Sequence, residues 1–206
     1  MKRIEIKENN LNMVYEITDE NEIKLLHFSN LPFDENDINS CGGTASFRPV
    51  EVLLSGLNRP GERHGTKYTY TAPGYRLKYK DMKDYRNETG RKLEILMEDK
   101  PTGLEVCSNI QFYDGISVIR SWTELKNNGE EDLGVEYVSS FALLGIDKEG
   151  LLSTDEKLEV LIARNAWQKE LIWNRFSMDQ LGMSISQPDK VRRSSQTISV
   201  GNTGNW

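Results

Sequence analysis

The sequence predicts an all-β protein, a large two-layer antiparallel β-sandwich with one short helix. Apolar and polar residues alternate over strand-length segments through most of the 206-residue chain, as expected when one face of each strand is buried. Turn residues separate these segments at hairpin spacing, which is typical of sandwiches rather than of α/β domains. The length is large for one domain but suits a single all-β unit.

The alternating or continuously apolar segments define the predicted strands. In chain order they are residues 12–18, 22–29, 47–54, 76–80, 91–98, 103–113, 117–125, 132–145, 157–164 and 191–200. Turns are predicted at residues 19–21, 99–103, 113–115 and 126–129. The pairs Asp114-Gly115 and Asn128-Gly129 favour turns that need positive φ, because Asn and Gly meet little steric cost in that conformation.

The one predicted helix lies in residues 176–183, "FSMDQLGM". Ser177 can cap its first turn through the hydroxyl group, and Gly182 can end it in the left-handed conformation. Residues 31–46 and 57–74 are rich in Gly, Pro, Asn and charge, and we predict that both stretches are irregular. Long loops on a rigid β scaffold often carry function.

Composition excludes several classes of partner. The net charge is −6 and no basic block is longer than Arg192-Arg193, which disfavours nucleic acid and anionic membranes. The charged amino terminus does not resemble a signal peptide, and no apolar run has the length of a membrane-spanning helix. Cys41 and Cys107 are too few for a disulfide framework, so we predict reduced thiols and a cytoplasmic location, with a single bridge as the alternative.

Catalytic motifs are absent from the sequence. His27 lies in an apolar strand and is predicted to be a packed residue, whereas His64 lies in a polar loop and is predicted to be solvated. Neither histidine has Cys or Asp partners at the spacing of a zinc site or a catalytic triad, and no nucleotide-binding motif occurs. We therefore expect no metal and no cofactor. The many acidic residues offer no local signature for a glycosidase carboxylate pair.

The tryptophans divide into a core candidate and a pair with two open interpretations. Trp122 alternates in a strand between Ile119 and Leu125, and we predict that it is a core residue. Trp167 and Trp173 flank a segment of mixed acid, base and amide. They either stack against sugars or fill a seam between sheet and loop, which is the commoner use of buried tryptophan.

Segments along almost the whole chain resemble the amino-terminal domain of family 36 glycoside hydrolases, which are retaining α-galactosidases. In order they are "EIKLLHFSN", "GTASFRPVEV", "GISVIRSWTELKNNGEEDLGVEYVSSFAL", "RNAWQKELIWNRFSM" and "VRRSSQTISVGNTGNW". The third contains the family's strand pair with R-S-x-T-x-x-x-N-x-G. The last resembles the strand that leads toward the catalytic domain.

The resemblance implies a supersandwich fold, similar to that of galactose mutarotase, that precedes a (β/α)8 barrel. In the family the barrel carries the nucleophilic aspartate and the acid/base aspartate, and neither motif occurs here. Residues 1–206 are therefore expected to be a single sandwich domain that is cut before the barrel, which agrees with the isolated indole of Trp206 at the end of the chain. Such a domain is expected to be inactive alone.

The resemblance also implies partners and site residues. In tetrameric bacterial members this domain packs on its own barrel and lends a loop to the active site of a neighbouring subunit, where a terminal α-galactoside such as melibiose or raffinose binds. The matching loop is residues 41–49, "CGGTASFRP". Ser46 stands where many members have a sugar-contacting aspartate, so Arg48 becomes the better candidate. Trp206 is expected to be a stacking platform near the sugar.

Two other functions remain open. A free-standing carbohydrate-binding module would also use a sandwich and exposed aromatic rings. An aldose-epimerase-like enzyme would share the supersandwich fold, but its chemistry needs a histidine and a glutamate as acid and base, and the chain has only two histidines, His27 and His64.

Overall fold

The computed structural model describes residues 1–39, 47–57, 71–144, 146, 158–166, 169–178 and 180–181. The strands are β1 (Lys2–Glu8), β2 (Leu11–Ile17), β3 (Ile23–Ser29), β4 (Val52–Leu54), β5 (Lys78–Asn87), β6 (Gly90–Asp99), β7 (Leu104–Phe112), β8 (Ile119–Asn127), β9 (Val135–Val138), β10 (Glu159–Ala166) and β11 (Lys169–Ser177). A five-residue helix, α1 (Glu35–Asn39), and a 3-10 turn (Gly74–Arg76) complete the regular structure. The chain separates into two compact units, Met1–Lys148 and Glu149–Trp206.

The first unit contains three antiparallel sheets, with strand orders β1-β2-β3, β4-β9 and β5-β6-β7-β8. A single core cluster draws buried side chains from all three sheets, including Met13 of β2, Val52 of β4, and Leu93 and Val106 of β6 and β7. Sheets that share one apolar interior form a sandwich. The predicted all-β sandwich is therefore confirmed.

A second, smaller cluster lies on the opposite face of the first sheet. Val14 and Leu26 of this sheet pack with Phe47, which lies between the undescribed residues 40–46 and β4. Phe33, Ile38 and Leu144 contact the same cluster. The sheet β1-β2-β3 is thus buried on both faces near its middle, and the predicted packing of His27 is confirmed because only 5% of that residue is exposed.

Strands β1 and β11 were not predicted. The β1–β2 turn uses Asn9 and Asn10 at φ 48° and 64°, and consecutive left-handed residues suit a tight hairpin turn. Strand β5 also extends to Asn87, beyond the predicted residues 76–80, because its outer half is too polar to alternate clearly. The predicted strand 191–200 lies outside the described residues.

The predicted helix at residues 176–183 is wrong in its described part. Strand β11 runs through Ser177, and the chain then turns. The predicted capping role of the Ser177 hydroxyl is seen, since the Gln180 amide donates to Ser177 Oγ at 3.2 Å. That bond closes a turn here and does not begin a helix. The short helix instead lies at Glu35–Asn39, within a stretch that was predicted to be irregular.

Trp122 does not belong to either core cluster, which corrects the prediction. Ile119 and Leu125 point toward the core, and Trp122 is three residues from each, an odd separation that places it on the opposite face of the strand. There the indole is partly buried, with Lys92 Nζ 5.0 Å and Arg120 Cζ 5.4 Å from its ring centroid. Its ring nitrogen donates to Glu124 Oε1 at 2.8 Å.

The predicted turn at residues 99–103 is confirmed, and it meets the turn at 126–129. Gly103 has φ 72°, and a Cβ atom there would lie 2.5 Å from the Gly129 nitrogen. The Asn128 amide also donates to the Gly103 carbonyl at 3.0 Å. Two glycines are thus needed because two backbones approach too closely for side chains.

The described part of the second unit is the antiparallel hairpin β10–β11. Its register pairs Ala163 with Trp173 and Leu161 with Arg175. The indole of Trp173 is 61% exposed, and Leu161, Leu171 and Ile172 are also exposed. A two-stranded ribbon with this much apolar surface is not expected to be stable without a partner.

Candidate functional site

The described part of the predicted loop 41–49 is its exit, residues 47–49, which lead into β4. The Leu25 amide of β3 donates to the Phe47 carbonyl at 2.9 Å, and the Ala142 amide donates to the Pro49 carbonyl at 3.1 Å. The ring of Phe47 is buried in the second cluster. Main-chain bonds on both sides and a packed ring therefore fix the backbone around Arg48.

The Arg48 side chain is buried, with 4% of it exposed. Its Nη2 donates to Glu22 Oε1 at 2.9 Å and to the Tyr75 carbonyl at 3.0 Å. Nε and Nη1 are buried and have no hydrogen-bond acceptor among the described residues. A guanidinium has five N–H donors, so this one is held on one side and unsatisfied on the other.

Glu22 lies in the turn between β2 and β3, which fixes it locally. The Thr18 amide donates to the Glu22 carbonyl at 2.9 Å, and the Glu22 amide donates to Thr18 Oγ1 at 3.1 Å. Asn21 takes φ 57°, a conformation that Asn tolerates. Its carbonyl accepts from the Tyr79 amide at 2.7 Å, which ties the turn to β5.

The Glu22 carboxylate also faces Lys78, whose Nζ lies 3.3 Å from Oε1. Partial burial would raise the pKa of Glu22, but hydrogen bonds and charge from Arg48 and Lys78 outweigh it and hold the pKa below its ordinary value. Glu22 is therefore ionised at neutral pH and supplies the negative charge beside the buried guanidinium.

The second contact of Arg48, the Tyr75 carbonyl, comes from a segment that is held as firmly. Tyr75 belongs to the 3-10 turn Gly74–Arg76, which follows Thr71. The amide and hydroxyl groups of Thr71 donate to the buried Glu51 carboxylate at 2.9 and 2.7 Å. A Cβ atom on Gly74 would lie 2.5 Å from Thr71 Oγ1 and 2.9 Å from the Val52 nitrogen, so the close approach requires glycine.

Of the three substrate-side residues predicted from the sequence, the structure describes Arg48. Ser46 and Trp206 lie outside the described residues, as do His64, Trp167 and Cys41, so the placement of Ser46 and Trp206 beside Arg48 stays a prediction. Cys107 carries a free thiol. Sequence reasoning missed Glu22, Tyr75 and Lys78, because a single acidic residue in a turn carries no motif and Tyr75 contributes only its carbonyl.

The described residues include one histidine, His27, and many acidic side chains. No group of three or more His, Cys, Asp or Glu side chains among them could hold a metal ion. His27 is engaged in packing, since its Nε2 lies 2.9 Å from the Leu31 carbonyl and its ring meets the edge of Phe33 at 5.7 Å. Within the same residues, no helix is both long and apolar enough to cross a membrane.

Comparison of the fold with solved structures finds glycoside hydrolases of family 36. The chain is similar to the α-galactosidase AgaA from Geobacillus stearothermophilus, with a TM-score of 0.57, 14% identity and coverage of 85% of this chain. A doubly substituted variant of AgaA in complex with raffinose gives a TM-score of 0.56 at 15% identity and the same coverage. The fold expected from the sequence resemblance is therefore confirmed.

The match extends over a fraction of the larger enzymes, since this chain spans 28% of the AgaA chain. The related enzyme AgaB from the same organism matches over 64% of this chain with a TM-score of 0.43. No family model matches the sequence. None of the curated proteins matches it either.

Proposed function

We propose that this chain is the non-catalytic amino-terminal β-sandwich domain of an α-galactosidase that hydrolyses terminal α-galactosides. The fold match to AgaA over 85% of the chain is the observation that carries the proposal. The ordered sequence segments point to the same family independently. In this proposal the two catalytic carboxylates lie in a barrel that is not part of residues 1–206.

The proposed role of the domain is to pack on that barrel, to mediate oligomerisation in the cytoplasm and to lend a loop to the active site of a neighbouring subunit. Ser46, Arg48 and Trp206 are the proposed substrate-side residues. The geometry limits which nitrogens of Arg48 could bind a substrate, because Nη2 already binds Glu22 and Tyr75. A sugar hydroxyl or a partner carboxylate would be bound by Nε or Nη1, the donors that have no acceptor.

The test compares residues 1–206 with the polypeptide encoded by the complete reading frame. We expect the longer protein to release p-nitrophenol from p-nitrophenyl α-galactoside and the pure sandwich domain to give no sustained turnover. Turnover by the domain alone would contradict the non-catalytic role. A complete reading frame without a barrel, or without activity toward α-galactosides, would contradict the parent activity.

A carbohydrate-binding module is the second candidate, and the exposed indole of Trp173 favours it. Sugar C–H faces stack on exposed aromatic rings. In affinity electrophoresis through galactomannan, a binding module would be retarded and a Trp173→Ala variant would lose the retardation. Migration independent of the polysaccharide would leave the domain of a larger enzyme as the better proposal.

A further inference from the structure

We infer that Glu22 is a positioning residue for Arg48 and for the loop exit formed by residues 47–49. Its carboxylate holds the buried Arg48 guanidinium, and through Arg48 it fixes the direction in which the chain enters residues 47–49. The consequence for catalysis rests on the proposed function, whereas the positioning itself is a property of this chain.

The first step is the charge balance around Arg48. A buried cation without a counter-charge is strongly unfavourable. Among the described residues the carboxylate that pairs with Arg48 is that of Glu22, at 2.9 Å. The other contact, the Tyr75 carbonyl, is a dipole and not a full charge. Glu22 therefore accounts for the burial of the guanidinium.

The second step is the connection between side chain and loop. Arg48 is two residues from Ser46, and the peptide groups beside it are bonded through Phe47 and Pro49. The guanidinium could turn by rotation of its own side chain, so the link to the backbone is energetic: without Glu22 the closed arrangement of residues 47–49 has lost its counter-charge, and it opens more often and frees the Leu25 and Ala142 amides. The two amides therefore report on the same event.

The third step separates Glu22 from an ordinary stabilising residue. Asp84 of β5 is also a partly exposed carboxylate in an ion pair, with Arg91 of β6 at 2.8 and 2.6 Å. Asp84→Asn is thus a matched control for Glu22→Gln, since both replace a paired carboxylate by its amide. The pair belongs to the β5–β6 hairpin, so Asp84→Asn is expected to leave the loop exit at residues 47–49 unchanged.

The first experiment measures amide hydrogen exchange in residues 1–206. Glu22→Gln is expected to speed exchange at the Leu25 and Ala142 amides about fivefold relative to the amides of β7, because local opening replaces a closed, charged contact. Asp84→Asn is expected to leave that ratio within about twofold of wild type. Glu22→Asp, which keeps the charge, should restore most of the protection and serves if Glu22→Gln folds poorly.

The second experiment measures kinetics of the longer enzyme. Glu22→Gln is expected to raise KM for p-nitrophenyl α-galactoside about tenfold with kcat changed less than about twofold, the signature of lost substrate binding. Glu22→Asp should recover part of the affinity, and Asp84→Asn should keep the wild-type KM. In an Arg48→Lys background, Glu22→Gln should raise KM by less than about a further twofold, because the effects of two residues that act through one another do not add.

The outcomes distinguish the two proposals. Unchanged exchange at Leu25 and Ala142 in Glu22→Gln overturns the positioning role whatever the activity. Faster exchange in a longer protein that does not cleave α-galactosides supports the positioning role and overturns the proposed function. An active enzyme whose KM is unaffected by Glu22→Gln overturns the inference while leaving the α-galactosidase assignment intact.

Discussion

Arg48 with Glu22 and Arg76 with Asp99 are two ion pairs of the same unit that are buried in opposite ways. In the first pair the cation is buried and Glu22 is 21% exposed. In the second pair the anion is buried, with Asp99 at 0% and Arg76 at 26% exposed. Asp99 also accepts from the Thr102 hydroxyl at 2.7 Å.

The two pairs differ in how many of the guanidinium N–H groups have hydrogen-bond acceptors. Arg76 binds Asp99 through Nε and Nη2 together, a fork that matches a carboxylate, and these hydrogen bonds raise the pKa of the guanidinium. Arg48 uses Nη2, and its other two nitrogens are buried without acceptors in the part of the chain that the structure describes. A complete pair stabilises a turn, whereas an incomplete one retains binding capacity at some cost in stability.

The largest expected effect is on catalysis in the longer enzyme. If Arg48 serves the substrate site, Arg48→Ala lowers kcat/KM by roughly 10- to 1,000-fold, or about 1.4–4 kcal/mol of transition-state binding. Trp206→Ala is expected to fall in the same range. Steady-state kinetics on oligomers of verified size provide the measurement. Wild-type kcat/KM in both variants would contradict the assignment of Arg48 and Trp206 to the substrate site.

The next effect concerns stability at the complete pair. Asp99→Ala leaves Arg76 without its carboxylate and removes the acceptor of Thr102, so we expect a loss of about 3 kcal/mol in the free energy of unfolding. Urea denaturation of residues 1–206 measures it. Arg48→Met, which removes the incompletely satisfied cation but fills its volume, should cost less than about 1 kcal/mol. Equal losses in the two variants would contradict the distinction between the pairs.

In a third cation environment the partner is an aromatic ring. The cationic groups of Lys92 and Arg120 both lie within 5.4 Å of the Trp122 ring centroid on the outer face of the sheet. Trp122→Ala is expected to cost about 1–2 kcal/mol, made up of cation–π contacts and partial burial, and not the 3–5 kcal/mol of a core aromatic. A denaturation loss above about 3 kcal/mol would indicate that the ring is a core residue after all.

The smallest effect is the pH dependence of Glu22. Because its pKa is lowered in the folded state, its contribution is present above the ordinary value, near pH 4.3, and is lost as pH falls through the folded pKa. Wild type and Glu22→Gln should therefore differ by on the order of 0.5–1 kcal/mol at neutral pH, and the difference should disappear as the pH falls through the lowered pKa of the folded state. A difference that stays constant between pH 3 and 7 would exclude a charge effect.

Most of the fold could be predicted from alternation, because strands such as β6 and β7 bury one face and repeat every second residue. Alternation did not predict the full length of β5, because the outer half of that strand is charged on both faces. It did predict the strand that contains Trp122, but Trp122 was assigned to the wrong face of that strand. The site was less predictable. The sequence selected Arg48, but its pairing with Glu22 depends on a fold that brings residues 26 positions apart within 2.9 Å.

The ten-residue strand β5 forms one edge of its sheet in the described part of the chain. Past its first residues it exposes Lys80, Asp81, Lys83, Asp84 and Arg86, and a bulge interrupts it between Tyr79 and Asp81. A strand from another molecule that added here would bury charges of both signs and lose its register at the bulge. Concentrated solutions of the domain are thereby protected against growth of intermolecular sheet at this edge.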